Sequence, residues 1–208
     1  WEHDSHHMAV TIAYLGDEQG GGPAGVRVVE PSSESNQAQR GNLYAVVDLQ
    51  GPHEGAAALT ERILSALQRT YYTTKGSQSQ VMEQTLQAAQ QLVRNENAQR
   101  QTQWRAGVIC IGLLHDRLAL ASMGDAFAFV TTDGGDVNVY PPERLKPGFD
   151  GGGGFALWPL HRQKIELGGA ILAGSGEWLA AVDPRVLAGA TAYVAAETCR
   201  DAAEGLRE

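Results

Sequence analysis

One run of apolar residues in the sequence ends at an acidic residue, Asp48, and turn residues follow it. The stretch reads AVVDLQGPHEG and covers residues 45–55. Strand ends hold side chains rigidly, and ligands and metals usually bind at the loops beyond them. A carboxylate suits a hard divalent cation, which prefers oxygen ligands. What a carboxylate at this strand end would bind depends on the rest of the chain, and a turn-initiating residue that caps the strand is the alternative.

The composition indicates a soluble globular protein with a single core. The chain has 208 residues, of which 43% are hydrophobic and 19% charged, and this excludes disordered and membrane classes. Its net charge of −8 disfavours binding to nucleic acid or to anionic membranes. No apolar run is long enough to span a bilayer and no signal peptide opens the chain, so we expect a cytoplasmic protein. Cys110 and Cys199 are then expected to be reduced thiols.

The spacing of apolar residues predicts one α+β domain. A strand over residues 43–48 precedes two amphipathic helices, over about 54–70 and 78–95. Four short β-type runs follow, at 106–114, 117–123, 126–131 and 137–140. We expect these four to form a meander in one sheet, with the two helices packed outside it as an antiparallel pair. Two further strands are predicted at 163–167 and 170–173, and helical sequence begins at about Pro184.

Some segments are interpreted as connections or tails. The histidine-rich start WEHDSHHM favours a tail, so residues 1–22 are taken as a tail with the first strand region and 23–208 as one domain. The DGGGGF stretch in the irregular segment 141–158 lacks the Lys and the Ser or Thr of a phosphate cradle, and is predicted to be a surface loop. DGGD at 133–136 is predicted to be a hairpin turn.

Three stretches, in order, combine strand ends with acidic or turn residues: LYAVVDLQGPHEGAAALTERI, RLALASMGDAFAFVTTDGG and GGAILAGSGEWL. They resemble the metal-dependent protein serine/threonine phosphatases of the PP2C (PPM) family. The first is similar to the strand ending in Asp-Gly-x-Gly-Gly-His, the second to the Gly-Asp turn, and the third to the strand ending in Ser-Asp-Gly-Leu-Trp. The resemblance extends from about Gly25 onward. It implies an α-β-β-α sandwich of two antiparallel sheets with helices on the outer faces.

The resemblance also implies a metal site. In this family two Mg²⁺ or Mn²⁺ ions lie between the sheets, and the water that bridges them attacks the phosphoryl group. Asp48 takes the place of the bridging carboxylate, the backbone carbonyl of Leu49 that of a glycine carbonyl, and Asp125 that of an aspartate at an additional, weaker metal. His53 matches the histidine that ends the first motif, with a catalytic role or a loop-stabilising hydrogen bond both open.

Several positions depart from the family's pattern. Counting back from Asp48 at the family's spacing puts Ser35 at a metal-binding aspartate, Glu34 at the neighbouring glutamate and Glu30 at the phosphate-binding arginine. Ser175 aligns with a second metal-binding aspartate. The chain stops at Glu208, so the resemblance implies that the closing strand with a further metal aspartate is missing. Mg²⁺ or Mn²⁺ is then expected to bind weakly at most.

These departures predict a pseudophosphatase that acts in binding or regulation. Its expected partner is a phosphoprotein, a kinase or an attached domain, with neither nucleic acid nor membrane involved. The alternative is an active Mn²⁺- or Mg²⁺-dependent phosphatase with relocated ligands, for which Glu34 and Glu177 are the nearest spare carboxylates. A third alternative is a structural module without a ligand.

Overall fold

The computed structural model describes residues 10–12, 25–131, 136–145, 155–165 and 168–192. Within these residues the strands are β1 (Val26–Val29), β2 (Asn42–Gln50), β3 (Arg105–Leu114), β4 (Arg117–Met123), β5 (Phe127–Thr131), β6 (Val137–Tyr140), β7 (His161–Lys164) and β8 (Ile171–Gly174). The α-helices of the same described residues are α1 (Ala56–Thr73), α2 (Gln78–Arg100), α3 (Gly176–Ala181) and α4 (Pro184–Ala192). Two short 3-10 helices cover Asn36–Arg40 and Pro142–Leu145.

The strands form two antiparallel sheets. The larger sheet has the order β1-β2-β3-β4-β7, and the smaller has the order β6-β5-β8. In the larger sheet, β2 pairs with β3 over its whole length, from Asn42 opposite Leu113 to Gln50 opposite Arg105.

Period-two alternation along the strands builds three apolar layers. The first layer joins α1 and α2 to one face of the larger sheet and includes Ile63, Leu67, Met82, Val108 and Ala121. The second lies between the two sheets and includes Ile109, Ile111, Leu120, Ala128 and Val130. The third joins the outer face of the smaller sheet to α3 and α4, through Phe127, Phe129, Trp178 and Leu187. The predicted α-β-β-α sandwich is confirmed.

The long helix α2 has a strong start signal in the sequence. Ser77 and Gln80 form a capping box, in which each side chain bonds to the other residue's backbone. Helix α1 has no side-chain cap and begins after Gly55, which adopts a left-handed conformation with φ of 85°. Both predicted helices are confirmed, although each extends further towards its C-terminus than expected.

The prediction that the strands from Ala106 to Tyr140 form a meander in one sheet is wrong. β3 and β4 belong to the larger sheet, whereas β5 and β6 belong to the smaller. The chain crosses between the sheets at Gly124, whose φ of 69° allows a sharp change of direction. Alternation of apolar residues is the same in both sheets, so the sequence pattern could not show this crossing.

Other boundaries differ less. β7 begins two residues before the predicted 163, and β8 covers 171–174 instead of 170–173. The short elements β1 and α3 were missed because neither is long enough to show a period. Most of the N-terminal segment, most of DGGD, the four glycines at 151–154 and Cys199 lie outside the described residues. Cys110 is a free, fully buried thiol whose pKa burial raises to about 12.

Within the part of the chain that the structure describes, none of the helices has the length and apolar character needed to cross a membrane.

Candidate functional site

Asp48 lies near the end of β2, on the face directed towards the other sheet. Tyr44 and Val46, at the same alternating positions of the strand, contact the layer between the sheets. Across the ladder Asp48 is opposite Gly107 of β3. The site is therefore positioned by β2 and β3, which are paired over the whole length of β2.

Asp125 lies at the turn where the chain crosses from one sheet to the other. The Gly124 N–H donates to the carbonyl of Ala156 over 2.9 Å, and Trp158 Nε1 donates to the carbonyl of Gly124 over 2.8 Å. These bonds fix the turn. A Cβ added to Gly107 would overlap Oδ1 of Asp125. The Asp125 carboxylate therefore lies against the backbone of Gly107, the residue opposite Asp48 in the ladder.

The third part of the site is the junction between β8 and α3. Gly174, the last residue of β8, is opposite Phe127, the first residue of β5. Ser175 therefore follows β8 at the same sheet end at which Asp125 precedes β5. Ser175 is the N-cap residue of α3 but makes no capping bond with its side chain. The Ser175 side chain instead lies close enough to Asp48 to lower the pKa of that carboxyl group.

The electrostatics around Asp48 are those of a crowded acidic site. Burial raises the pKa of Asp48 above its ordinary value, and the negative charges of Asp125 and Glu177 raise it further. Hydrogen bonds from Ser175 and Gln50 oppose this rise. Oδ2 of Asp48 is buried and has no hydrogen-bond partner among the residues that the structure describes. A buried carboxylate oxygen without a donor is costly, and a cation would satisfy it.

Gln50 is a site residue that the sequence reasoning missed. Its Nε2 donates to Oδ2 of Asp125 over 3.4 Å, and its side chain also lowers the pKa of Asp48. The available signal was the period of two along β2, which puts residue 50 on the same face as residue 48.

Three predicted site residues lie elsewhere. Val29, at the end of β1, is opposite Leu43, so Glu30 lies at the far end of β2 from Asp48. Leu43 and Asp48 are five residue steps apart along β2, a distance of roughly 17 Å. Glu30 accepts a 2.7 Å hydrogen bond from the Tyr44 hydroxyl.

Ser35, next to Glu34, is the N-cap residue of the first 3-10 helix and accepts from the Gln37 N–H over 3.1 Å. Equating Ser35, Glu34 and Glu30 with the family's upstream motif is therefore wrong. The chain between β1 and β2 contains this extra helix, and a fixed spacing does not allow for it. By the register, the residue opposite Asp48 on the β1 side falls near position 24, outside the described residues.

The remaining predicted residues border the site. His53 is exposed in the loop after β2, and its carbonyl accepts from the Ala56 N–H over 3.3 Å. Leu49 is opposite Ala106, and its side chain packs against the helix-covered layer, away from the face of Asp48. The Leu49 side chain is therefore directed away from Asp48.

The donor set fits a single, weakly held divalent cation. Among the residues that the structure describes, no three His, Cys, Asp or Glu side chains are grouped closely enough to hold a metal ion together. Asp48 offers one free buried oxygen, and Asp125 and Glu177 add negative charge nearby. Such a cation would keep most of its water, as Mg²⁺ commonly does.

Solved structures with the same architecture identify the fold. A Streptococcus agalactiae serine/threonine phosphatase matches with a TM-score of 0.66 at 11% identity, covering 97% of this chain and 93% of that one. The chain has a PP2C-type phosphatase fold. The catalytic domain of the PP2C-type phosphatase PstP with two manganese ions matches with a TM-score of 0.61 at 14% identity, over 88% and 89% of the two chains.

A regulatory protein also shares the PP2C-like fold. PppA, a key regulatory component of the type VI secretion system in Pseudomonas aeruginosa, matches with a TM-score of 0.60 at 15% identity, over 88% of this chain and 82% of that one. No protein-family model and no curated protein matches the sequence. The predicted resemblance to PP2C-type phosphatases is confirmed at the level of the fold.

Replacing Asp48 tests the electrostatics of this PP2C-like site. Asp48→Asn is expected to raise the melting temperature at pH 7 in EDTA by about 2–4 °C, because it removes a charge that burial and two carboxylates disfavour. A carboxyl group whose folded pKa is raised stabilises the fold below its ordinary value of 3.8, and that stabilisation is lost as the pH rises through the folded pKa. The gain should therefore vanish near pH 4, as thermal unfolding across pH 4–7 would show. A melting temperature at pH 7 below that of the wild type would contradict this account.

Proposed function

We propose that this PP2C-like domain is a pseudophosphatase that acts in binding or regulation. The observation that carries the proposal is Ser175. Its side chain lies beside Asp48, whose pKa it lowers, and the resemblance equates this position with a metal-binding aspartate. A neutral donor therefore occupies the position of an anionic metal ligand.

Replacing an anionic ligand by a neutral hydroxyl affects the generation of the hydroxide that attacks the phosphoryl group. Two cations together generate the attacking hydroxide when they are bound in such a site. A serine hydroxyl beside Asp48 supplies no negative charge for a second cation. If this change removes about 4 kcal/mol of transition-state stabilisation, the rate of hydrolysis falls roughly a thousandfold.

The proposed partner is a phosphoprotein, a kinase or a domain of the same polypeptide. A phosphatase fold can retain a recognition surface after its catalytic activity has been lost, because function depends on the site and not on the fold. The outer helices, with an apolar layer beneath them, would then serve as the scaffold for that surface.

An active phosphatase with relocated ligands is the second candidate, and Glu177 is the observation that favours it. This carboxylate, in the first turn of α3, is close enough to raise the pKa of Asp48. Glu34, the other spare carboxylate suggested by the sequence, precedes the N-cap of the first 3-10 helix and is exposed. The alternative therefore depends on Glu177.

Hydrolysis of p-nitrophenyl phosphate and of a phosphothreonine peptide separates the two candidates. With Mn²⁺ present, we expect turnover at background, at least about a thousandfold below that of an active PP2C-type phosphatase assayed in parallel. Mn²⁺-dependent turnover that both Asp48→Ala and Glu177→Gln abolish would establish the active alternative and overturn the proposal.

A further inference from the structure

Gln50 occupies a position between the two carboxylates of the site. It lies two residues after Asp48 on the same face of β2, and it is half-buried. It also lines a narrow recess together with Arg105, Ala106, Gly107 and Asp125. Its Nε2 donates to Oδ2 of Asp125 over 3.4 Å, and its side chain is also close enough to Asp48 to lower the pKa of that carboxyl group.

The chemistry of a primary amide suits this position. The NH₂ group of a glutamine carries two hydrogens, so one side chain can donate to two acceptors at once. Two neighbouring carboxylates repel each other, and each is stabilised by a donor or by a cation. An amide between the two carboxylates supplies hydrogen-bond donors, and it thereby provides part of the stabilisation that a metal ion would give.

We propose that Gln50 is a built-in substitute for a cation, and that its amide holds Asp48 and Asp125 together in the metal-free domain. A divalent ion that bridges Asp48 and Asp125 must then displace the amide from between them. The inference rests on the proposed function in one respect, since a domain that works by binding has to keep this site ordered without metal. It goes further by naming the residue that makes the site independent of metal.

The test compares Gln50→Met, which keeps the length of the side chain but removes both donors, with the wild type. Without the amide, the two carboxylates should depend on metal. In EDTA we expect the melting temperature of Gln50→Met to fall by about 2–4 °C, and Mn²⁺ to restore it. In calorimetric titrations Mn²⁺ should bind about tenfold more tightly than to the wild type, because no hydrogen bond has to be displaced.

Gln87→Met is the matched control. Gln87 Nε2 also donates to a carboxylate, Oε1 of Glu83, over 3.1 Å, but on the exposed face of α2. This variant should leave both the Mn²⁺ affinity and the response of the melting temperature to Mn²⁺ unchanged.

The readouts are metal affinity and thermal stability, so they are independent of hydrolysis. Equal Mn²⁺ affinity for Gln50→Met and the wild type would overturn the inference, as would tight Mn²⁺ binding by the wild type. Phosphatase activity of the wild type would overturn the proposed function and leave the affinity comparison to decide the role of Gln50.

Discussion

Ser175→Asp is expected to raise the affinity of the domain for Mn²⁺ by about 10–100-fold. The new carboxylate would stand beside Asp48, whose pKa the serine side chain now lowers. Aspartate is also a favourable N-cap residue, so α3 should form unchanged. The substitution therefore changes the charge of the site with little effect on the local fold.

The same variant should be less stable than the wild type in EDTA. A fourth carboxylate near Asp48, Asp125 and Glu177 adds repulsion in a half-buried place, at a cost of about 1–3 kcal/mol. Mn²⁺ at about one hundred times its dissociation constant would return about 2.7 kcal/mol. Thermal unfolding with and without Mn²⁺ measures both effects.

Ser35→Asp is the control for this experiment. Ser35 is also an N-cap residue and is the other position that the sequence equates with a metal-binding aspartate, yet it lies in the connection between β1 and β2. We expect no change in Mn²⁺ affinity for Ser35→Asp. A gain equal to that of Ser175→Asp would show that the site is organised differently from the structure.

Leu67→Ala is expected to lower the free energy of unfolding by about 2–5 kcal/mol, which corresponds to a fall in melting temperature of about 5–15 °C. Leu67 lies on α1, is 0% exposed and belongs to the layer between the helices and the larger sheet. Truncation removes buried contacts and leaves a cavity that the paired helices cannot collapse to fill. Thermal and urea unfolding measure this loss.

Leu92→Ala provides the comparison. Leu92 lies on α2 and is only partly buried at the edge of the same layer, and the change in helix propensity is identical. Its cost should be about 1 kcal/mol. Equal losses for the two variants would contradict the layer arrangement.

The sequence predicts the layers of this domain better than its connections. Val108 and Ile109 contact opposite layers because they are neighbours on one strand, and any strand assignment to this run gives that result. The assignment of β5 to the second sheet depends on the turn at Gly124, whose direction is a tertiary property. Short elements such as β1 are held by pairing with β2 and have no pattern of their own.

The site was predictable only where its residues adjoin a recognisable strand end. Asp48, Asp125 and Ser175 each lie within a quoted motif, and the fold brings all three to one place. Ser35 was misplaced because residue counting cannot show the 3-10 helix between β1 and β2. Gln50 was missed because an amide at a strand end has no characteristic pattern, and its role depends on the two acceptors that the fold brings to it.

Gly107 is a position of this fold that can remain when the surrounding aspartates are replaced. The carboxylate of Asp125 rests on the Cα of this residue, where any side chain would take up the same volume. A chain can exchange Asp for Ser at the surrounding positions and still retain that empty volume, provided that the glycine remains. A search pattern for diverged domains whose acidic motifs are no longer recognisable can therefore combine two features. They are the glycine in the strand after the second long helix and the Gly-Asp turn that ends the next strand.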